Sequence, residues 1–490
     1  MRRSYALIGS VAVACASLSA ARTETFDEAY SRLRQGRTYT AQPTGVVRMS
    51  HRTADGVKHH FTLNVPESYT PTRKYQVRFH LHGGVGGRQD NRPVGNGTIG
   101  ALAGDEQIYI IPYAWNAAPW WSDDQVLNLR AILDAAKRLY NIDENRVVVS
   151  GVSDGGTGAY YIAMRDTTPY ASFLPLNGYW MVLASGDIDT GNVFANNLRN
   201  KPLFIVNGGV DRLYPTRIVD PFIEHYRKGG VTLEYHPQPE AGHNTQWWPT
   251  VKESFETFVR THPRQPLPDA LTWETADTAA HNRAHWLVID RLGSVKDEAK
   301  ALPDLNELAP EPVLDFGVRS IGTRINRVVP GSNAERLGLK SGDVLVRLND
   351  ESVSGGTDVQ EALDDVKAGA RITLLVARNN LPVEISGAYE PKLVMGPPRT
   401  VFSRSGPTGR VDLMRAGNIV RATTRGVAAF TLLLSPDQFD FSKPVKVVAN
   451  GHTVFDGRVH KDIGTLKKWA DIDNDRTMLF GAEIHVDLSR

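Results

Sequence analysis

Short apolar stretches alternate with amphipathic ones along residues 45–262. Each apolar stretch ends in or runs into Gly, Asn or Pro, as strands that stop at a turn do, and the six are KYQVRFHLHGG, EQIYIIPYAW, NRVVVSG, ASFLPLNG, KPLFIVNGG and TLEYHPQ. Between them, QVLNLRAILDAAKRLY places on one helical face Val126, Leu129, Leu133, Ala136 and Tyr140. Strands that alternate with helices predict a doubly wound, mostly parallel sheet with its functional loops at the carboxyl ends of the strands.

The pattern changes after a linker rich in proline and acid, residues 301–313. Residues 314–388 contain four strand-like stretches and one helix, predicted over 357–367. Residues 398–490 are again strand-rich, with an Asn450-Gly451 hairpin turn. Two more strand-like stretches, ALTWET and AHWLVIDRL, precede the linker, and two strands alone do not bury a face. They are therefore candidates to pack with the C-terminal strands, which would make the 314–388 unit an insertion.

The composition excludes some function classes. At 490 residues, with 41% hydrophobic and 22% charged positions, the chain is typical of a soluble globular protein of several domains. The net charge is +2 and no basic block stands out, so nothing indicates nucleic-acid binding. After the N-terminus no stretch is apolar enough to span a bilayer.

The N-terminus, MRRSYALIGSVAVACASLSAA, predicts export. Two arginines precede a short apolar run and small residues, as in a secretory signal peptide over 1–21 cleaved after Ala21. The alternatives are a retained membrane anchor, for which the run is short, and lipid attachment at Cys15. Cys15 is the only cysteine, so the cleaved protein contains no thiol and no disulfide.

Gly151-Val152-Ser153-Asp154-Gly155 is the first candidate for chemistry. A β-branched strand runs into Gly151, and the stretch after Ser153 reads as a helix, so Ser153 is predicted at a sharp strand-to-helix turn. Side chains larger than glycine at 151 and 155 would collide with the adjoining strand and helix. The structural alternative is a glycine-rich turn without chemistry.

A serine hydroxyl needs a histidine to remove its proton and an acid to orient that histidine. Asp211 and His243 follow later strands in that order, at intervals that leave room for one or two strand–helix units. Asp220 and His236 are rivals, but the first reads as helical and the second lies in a strand pattern. We therefore predict a triad of Ser153, His243 and Asp211.

The oxyanion formed by attack needs two backbone donors. One is expected from the N–H of Asp154, and the other from the loop HLHGGVGGR, where Gly83 and Gly84 allow close approach. The second donor stays open between Gly84 and Val85. His80 and His82 lack a third metal ligand at suitable spacing, so no metal site is predicted, and no organic cofactor is implied.

His82-Gly83-Gly84, Gly151 to Gly155, Asp211 and Ala241-Gly242-His243 together resemble the α/β-hydrolase superfamily over residues 45–262. The resemblance is closest to secreted esterases of the feruloyl-esterase and polyhydroxybutyrate-depolymerase type and to prolyl-oligopeptidase-like hydrolases. It implies Ser153 as nucleophile, His243 as general base and then acid, and Asp211 as the group that orients His243.

Several tryptophans follow predicted strand ends or lie beside His243. One interpretation is an aromatic-lined pocket for an aryl, acyl or sugar-linked ester, and the other is packing of long loops. The pocket candidates are Trp115, Trp120, Trp121, Trp247 and Trp248.

Residues 314–388 resemble a PDZ domain of the bacterial kind. Asp315-Phe316-Gly317-Val318 is similar to the carboxylate-binding loop of that family, and Val329 to Asp343 is similar to its turn and short helix. The resemblance implies that N–H groups of Phe316, Gly317 and Val318 hold a peptide C-terminus while the peptide adds as a strand. The alternative is a PDZ fold kept as a spacer with an empty or self-occupied groove.

The predicted organisation is therefore a signal peptide (1–21), an α/β-hydrolase domain (22–265), a β hairpin and linker (266–313), a PDZ domain (314–390) and a β-rich accessory domain (391–490, with 269–295 packed against it). The predicted activity is hydrolysis of carboxylic esters by an exported serine hydrolase, periplasmic or secreted. The alternatives are a serine peptidase on the same triad and an inactive, peptide-binding scaffold.

Overall fold

The computed structural model describes residues 24–53, 56–89, 97–293, 302–308, 312–353, 359–363, 366–396 and 399–489. The predicted signal peptide and Cys15 lie outside the described residues. The chain divides into two compact units, one formed by the residues up to Asp304 together with those from Ser403 onward, and the other by Leu305–Phe402.

A sheet of eight strands forms the centre of the first unit. Its strands are β1 (Gly45–Arg52), β2 (Lys58–Val65), β3 (Tyr75–Leu81), β4 (Ile108–Pro112), β5 (Ile142–Val152), β6 (Ser172–Leu176), β7 (Leu203–Gly208) and β8 (Leu233–Gln238). Their order is β1-β2-β4-β3-β5-β6-β7-β8. The pairs from β4 to β8 are parallel, whereas β1 and β2 add antiparallel at one edge. The prediction of a doubly wound, mostly parallel sheet is confirmed.

Five helices belong to this part of the chain: α1 (Phe26–Gln35), α2 (Asp123–Leu139), α3 (Asp154–Arg165), α4 (Thr216–Lys228) and α5 (Trp248–Thr261). Short 3-10 helices cover Gly100–Leu102, Trp180–Ala184 and Ala195–Asn200. Helix α2 begins after Ser122, whose side chain accepts from the Gln125 N–H, and the predicted apolar face of the helix is buried. Strands β9 (Ala270–Thr275), β10 (Arg283–Ala284) and β11 (Leu287–Leu292) follow.

The second unit is built around a sheet of six strands. The elements are β12 (Glu307–Leu308), β13 (Pro312–Asp315), β14 (Val318–Ile321), β15 (Arg324–Val328), α6 (Asn333–Leu337), β16 (Val344–Leu348), β17 (Glu351–Ser352), α7 (Val359–Ala362), β18 (Arg371–Arg378), β19 (Leu381–Ala388), β20 (Lys392–Met395) and β21 (Arg399–Thr400). The sheet order is β14-β15-β16-β18-β19 with β17 on β16, while β13 pairs with β20 and β12 with β21.

Two differences from the sequence analysis concern this unit. The helix predicted over 357–367 appears as α7, and positions 357–358 and 364–365 lie outside the described residues. The compact unit also reaches beyond the predicted 314–390 on both sides, because the strands that flank it pair with each other.

The last part of the chain forms β22 (Gly409–Ala416), β23 (Ile419–Arg425), β24 (Val427–Leu434), β25 (Val445–Ala449), β26 (His452–Gly457), α8 (Ile463–Asp473) and β27 (Ala482–Asp487). These strands build two sheets, β26-β25-β23-β22-β9 and β10-β11-β24-β27, over a shared apolar core. Asn450 and Gly451 turn between β25 and β26 with φ values of 50° and 84°, as a type I′ hairpin requires.

Strands from both sides of the second unit therefore share sheets, since β9 pairs with β22 and β11 with β24. Helix α8 is an unpredicted element in a stretch expected to be strand-rich. The segment after α8 contacts the eight-stranded sheet through charged groups, since Arg476 donates to Glu144 of β5, and its Asp475 accepts from Arg264 at 2.7 Å. The accessory strands are thus packed into the same unit as the eight-stranded sheet.

Candidate active site

Ser153 lies in the turn between β5 and α3 in a conformation that serine rarely adopts. Its φ is 58° and its ψ is −120°, a region that costs about 1–3 kcal/mol for a residue with a side chain. Its N–H donates to the Leu176 carbonyl at 2.9 Å, and its own carbonyl accepts from the Thr157 N–H at 2.9 Å. The turn therefore holds the serine in a fixed, strained position at the carboxyl end of the sheet.

The glycines on either side of Ser153 are required by backbone contacts. A Cβ added to Gly151 would lie 2.1 Å from the Gly155 carbonyl oxygen, and one added to Gly155 would lie 2.0 Å from the Leu81 carbonyl oxygen. Neither backbone atom can move without shifting a strand or a helix. The spacing Gly-x-Ser-x-Gly is therefore a packing requirement of this turn.

Ser153, His243 and Asp211 converge. The Ser153 Oγ lies 2.8 Å from His243 Nε2, and His243 Nδ1 lies 2.7 Å from Asp211 Oδ2. The other Asp211 oxygen accepts from the N–H groups of Leu213 and Tyr214 at 2.7 and 3.1 Å. A carboxylate can only accept, so Nδ1 carries the proton and Nε2 is left to accept from the serine hydroxyl.

The immediate surroundings suit this arrangement. Asp211 is buried, and the His243 side chain is 26% exposed, which leaves it accessible from solvent. The Tyr214 ring lies edge-on to the His243 ring with 5.7 Å between centroids. The rivals are elsewhere: Asp220 lies in α4 and His236 in β8.

Two asparagines outside the predicted site hold loops beside the triad, and Asn177 holds the loop that contains His243. The Asn177 side-chain amide donates to the Asn244 carbonyl at 2.7 Å. The Asn207 amide donates to the Gly178 carbonyl at 3.2 Å, and both asparagines are buried. Each follows the apolar part of a predicted strand and precedes a glycine, in LNG and VNG, and that repeated pattern could have identified them.

The loop after β3 is held by its own histidine. His82 Nδ1 donates to the Gly83 carbonyl at 2.9 Å, and Nε2 accepts from the Ala114 N–H at 3.1 Å. Burial lowers the pKa of His82, which favours this neutral form. Trp120 Nε1 donates to the His82 carbonyl at 2.7 Å. His82 therefore orients the loop.

Of the predicted oxyanion residues, Gly83 lies against the nucleophile and Asp154 follows it directly in the chain. A Cβ on Gly83 would lie 3.0 Å from the Ser153 Cβ, and Gly84 has a φ of 73°. Asp154 is the first residue of α3, where backbone N–H groups have no partner within the helix. The Val85 N–H donates to Asp154 Oδ2 at 2.9 Å, a contact that the sequence analysis did not anticipate.

Four of the five pocket candidates are buried in packing contacts. Trp120 packs against His82, Trp115 against His59, and Trp248 against Phe255. Trp247 belongs to the same apolar cluster as Trp248. Trp121 is partly exposed. The pocket hypothesis therefore stays a prediction, and it depends mainly on Trp121.

The loop predicted to bind a peptide carboxylate also has internal contacts. Phe316 and Val318 are buried in the core of the second unit, and Gly317 has a φ of 94° with Ser332 directly beside it. The Gly317 N–H donates to Asp315 Oδ1 at 2.8 Å. Arg319 holds the same carboxylate through two contacts of 3.0 Å and lowers the pKa of Asp315. Strand β14 is the outermost strand of its sheet.

Comparisons with known proteins found matches to a PDZ-domain family, to proteases and to esterases. A PDZ-domain family model matches residues 324–378. The chain is 36% identical over 76 residues to "Serine protease HTRA1" of Xenopus tropicalis, covering 16% of each chain. It is 36% identical over 85 residues to "Probable periplasmic serine endoprotease DegP-like" of Marinomonas sp., covering 17% of this chain and 18% of that one.

The hydrolase relatives are more distant. The chain is 24% identical over 159 residues to "Probable feruloyl esterase C" of Aspergillus terreus, covering 31% of this chain and 58% of that one. A solved thermostable esterase is 18% identical, with 45% of this chain and 63% of that chain covered and a TM-score of 0.37. The chain thus spans less than a fifth of the two proteases and 58% of the fungal esterase.

The strand order, the strained serine turn and the matched family model lead to one conclusion about the architecture. This chain combines an α/β-hydrolase fold with a PDZ domain and a strand-rich C-terminal region.

Proposed function

We propose that this protein is an exported hydrolase that cleaves carboxylic esters through an acyl-enzyme intermediate. The observation that carries the proposal is the continuous hydrogen-bonded chain from Ser153 Oγ through His243 to Asp211. It joins a nucleophile, a base and an orienting acid in the geometry that activates a serine.

In the first half of the reaction, His243 Nε2 removes the Ser153 proton as Oγ attacks the ester carbonyl. Asp211 stabilises the imidazolium through Nδ1. The oxyanion of the tetrahedral intermediate is held by the Asp154 N–H at the start of α3 and by an N–H of the Gly83–Gly84 loop. His243 then gives its proton to the leaving alcohol, and Ser153 carries the acyl group.

In the second half, water takes the place of the alcohol. His243 accepts a proton from the water as it attacks the acyl carbonyl, and it returns that proton to Ser153 Oγ when the acid leaves. The cycle consumes one ester and one water and yields one acid and one alcohol. It needs no group beyond the residues named.

Ester cleavage is favoured over peptide cleavage for a chemical reason. An alkoxide leaves with less help from a proton than an amine does, and the sequence has no evident acidic or arginine-rich subsite for a peptide terminus. The likeness to HTRA1 and the DegP-like protein covers less than a fifth of each, so it gives little support to a peptidase. The likeness to feruloyl esterase C covers a larger share of the chain and supports esters.

A panel of aryl esters, hydroxycinnamoyl esters and short peptides tests this assignment, with Ser153→Ala as the control. We expect turnover of esters by the wild type and none by the variant. Turnover of peptides alone would establish the peptidase alternative, and the absence of any turnover would favour the inactive scaffold.

We propose further that the protein is exported by the segment 1–21 and that the PDZ domain tethers it to a peptide or protein. No helix in the described part of the chain is long and apolar enough to cross a membrane. Fractionation of cells that produce the wild type and Cys15→Ser tests the export proposal. Release of only the variant from the membrane fraction would establish lipid attachment.

A further inference from the structure

We propose that the Asp154 side chain is a positioning group that clamps the Gly83–Gly84 loop against the nucleophile and leaves the other N–H groups of that loop for the oxyanion. The inference rests on the proposed function of Ser153. It assigns a role to the carboxylate of a residue whose backbone N–H already belongs to the oxyanion site.

The clamp joins two distant parts of the chain. Asp154 directly follows the nucleophile and begins α3, and its Oδ2 accepts from the Val85 N–H, which lies 69 residues earlier, at 2.9 Å. Val85 is 4% exposed, so its N–H depends on this protein acceptor rather than on bulk water. One residue therefore offers a backbone donor on one side and a side-chain acceptor on the other.

Three consecutive peptide groups of the loop are each fixed at one point. In a trans peptide the carbonyl and the following N–H point in opposite directions. Trp120 holds the His82 carbonyl, so the Gly83 N–H points away from Trp120. His82 holds the Gly83 carbonyl, so the Gly84 N–H points away from the imidazole.

The third fixed point removes Val85 from the two donors that the sequence left open. The Val85 N–H is engaged by Asp154, so it is not available to an oxyanion. Gly84, between the two fixed peptide groups, has a φ of 73°, a value that favours glycine. The N–H groups of Gly83 and Gly84 are therefore the donors that the loop leaves for the oxyanion.

The negative charge of Asp154 and its hydrogen bond to Val85 have opposite effects on the energy of the oxyanion. A carboxylate near the developing oxyanion raises the energy of that anion, whereas a clamped loop lowers it. Asparagine keeps an acceptor oxygen of the same shape without the charge. Alanine removes both, so the two variants separate the clamp from the charge.

The test measures kcat and KM of Asp154→Ala and Asp154→Asn on an aryl ester. For Asp154→Ala we expect kcat to fall about 10- to 100-fold, somewhat less than the loss of a whole oxyanion donor, with KM changed by less than about threefold. Asp154→Asn should recover most of kcat. Asp124→Ala, which removes an exposed first-turn carboxylate from α2, is the matched control and should behave as the wild type.

Hydrogen exchange of the segment 82–88 provides a readout that does not need activity. Exchange should be faster in Asp154→Ala than in the wild type and restored in Asp154→Asn. If the wild type hydrolyses no ester, the proposed function fails, and exchange alone still decides on the clamp. Unchanged exchange in Asp154→Ala, or equal kcat in the wild type and Asp154→Ala, would overturn the proposal.

Discussion

The glycine-containing loops after β3 and before β14 can be compared, because in each loop one backbone N–H donates to an aspartate side chain. In the loop after β3, Asp154 comes from a distant element and takes the Val85 N–H at the far end of the loop. In the loop before β14, Asp315 comes from the same turn and takes the Gly317 N–H at its centre. The first hydrogen bond leaves the glycine N–H groups of its loop without that acceptor, whereas the second occupies the glycine N–H itself.

The origin of the acceptor explains the difference. A carboxylate on another element can fix a loop from outside and direct its remaining donors toward a site. A carboxylate two residues away closes a local turn and competes with an incoming carboxylate for the same N–H. The loop after β3 thus keeps free donors for the oxyanion of the proposed mechanism, and the PDZ loop is partly filled by its own side chain, which favours the self-occupied alternative for the groove.

Asp211→Asn should have the largest effect, a loss of kcat for ester hydrolysis. Asp211 accepts from His243, Leu213 and Tyr214, and an amide has one acceptor oxygen for these two directions. An NH₂ group against His243 Nδ1 stabilises the wrong tautomer, so we expect kcat to fall about 10⁴-fold. Ester hydrolysis measures the effect, and peptide binding by the PDZ domain should not change. A loss smaller than tenfold would contradict the role of Asp211.

Two glycine substitutions test how much each turn contributes to the stability of its own unit. Gly155→Ala places a Cβ 2.0 Å from a backbone oxygen, and Gly317→Ala places one 2.0 Å from the Ser332 Cβ in addition to a φ of 94°. Each should lower the free energy of unfolding by about 3 kcal/mol, because neither neighbour can give way without a backbone shift. Hydrogen exchange should locate the first loss in the hydrolase unit and the second in the PDZ unit. Gly84→Ala, with no atom within 4 Å of the added Cβ, is the milder control.

Asp315→Ala tests whether the second turn is self-occupied. The variant frees the Gly317 N–H and releases Arg319 from its ion pair, so a peptide with a free C-terminal carboxylate should bind about tenfold more tightly. Fluorescence polarisation with peptides ending in a carboxylate or in an amide measures this effect. Asp315→Asn keeps an acceptor and should change affinity less. Weaker carboxylate binding in Asp315→Ala would mean that Asp315 supports the groove.

The smallest expected effect is a difference in acid sensitivity. Burial, with Arg78 and His82 nearby, lowers the pKa of His80 to about 3. Unfolded histidine titrates near 6.5, so between about pH 6.5 and 3 the unfolded state binds a proton that the folded state does not. The free energy of unfolding of the hydrolase unit should therefore fall as the pH falls below about 6.5.

The PDZ unit provides the contrast, because residues 305–402 contain no histidine. Its carboxylates Asp315 and Asp343 have lowered pKa values, so the stability they contribute is present above about pH 4 and is lost only below it. Hydrogen exchange of both units at pH 7, 5.5 and 4.5 measures the difference. His80→Gln should reduce the slope of the hydrolase unit, and an equal slope in both units would contradict the account.

The parts of the site that depend on a local sequence pattern could be predicted from the sequence. Ser153 stands between a β-branched strand and a helix, and Asp211 and His243 follow later strands, so a parallel sheet brings them to one edge. The helix α2 and the Asn450-Gly451 hairpin were predicted for the same kind of reason. These features need only a few neighbouring residues to be recognised.

Other parts depend on contacts between distant residues. The acceptor for Val85 lies 69 positions away, and nothing near Val85 indicates it. Four tryptophans read as pocket candidates are buried, because strand-end loops in this unit fold back onto apolar clusters. The pattern around Trp121 does not differ from theirs, so the sequence alone does not separate a packing ring from an exposed one.

The most direct test of the central claim is to locate the covalent adduct of a fluorophosphonate probe on this protein by mass spectrometry. Trypsin should release Val147–Arg165, which contains Ser150 and Ser153. Ser150 is buried and bonded to Arg78, so fragmentation should place the adduct on Ser153, and Ser153→Ala should not be labelled. An unlabelled wild type, or equal labelling of Ser153→Ala, would contradict the account.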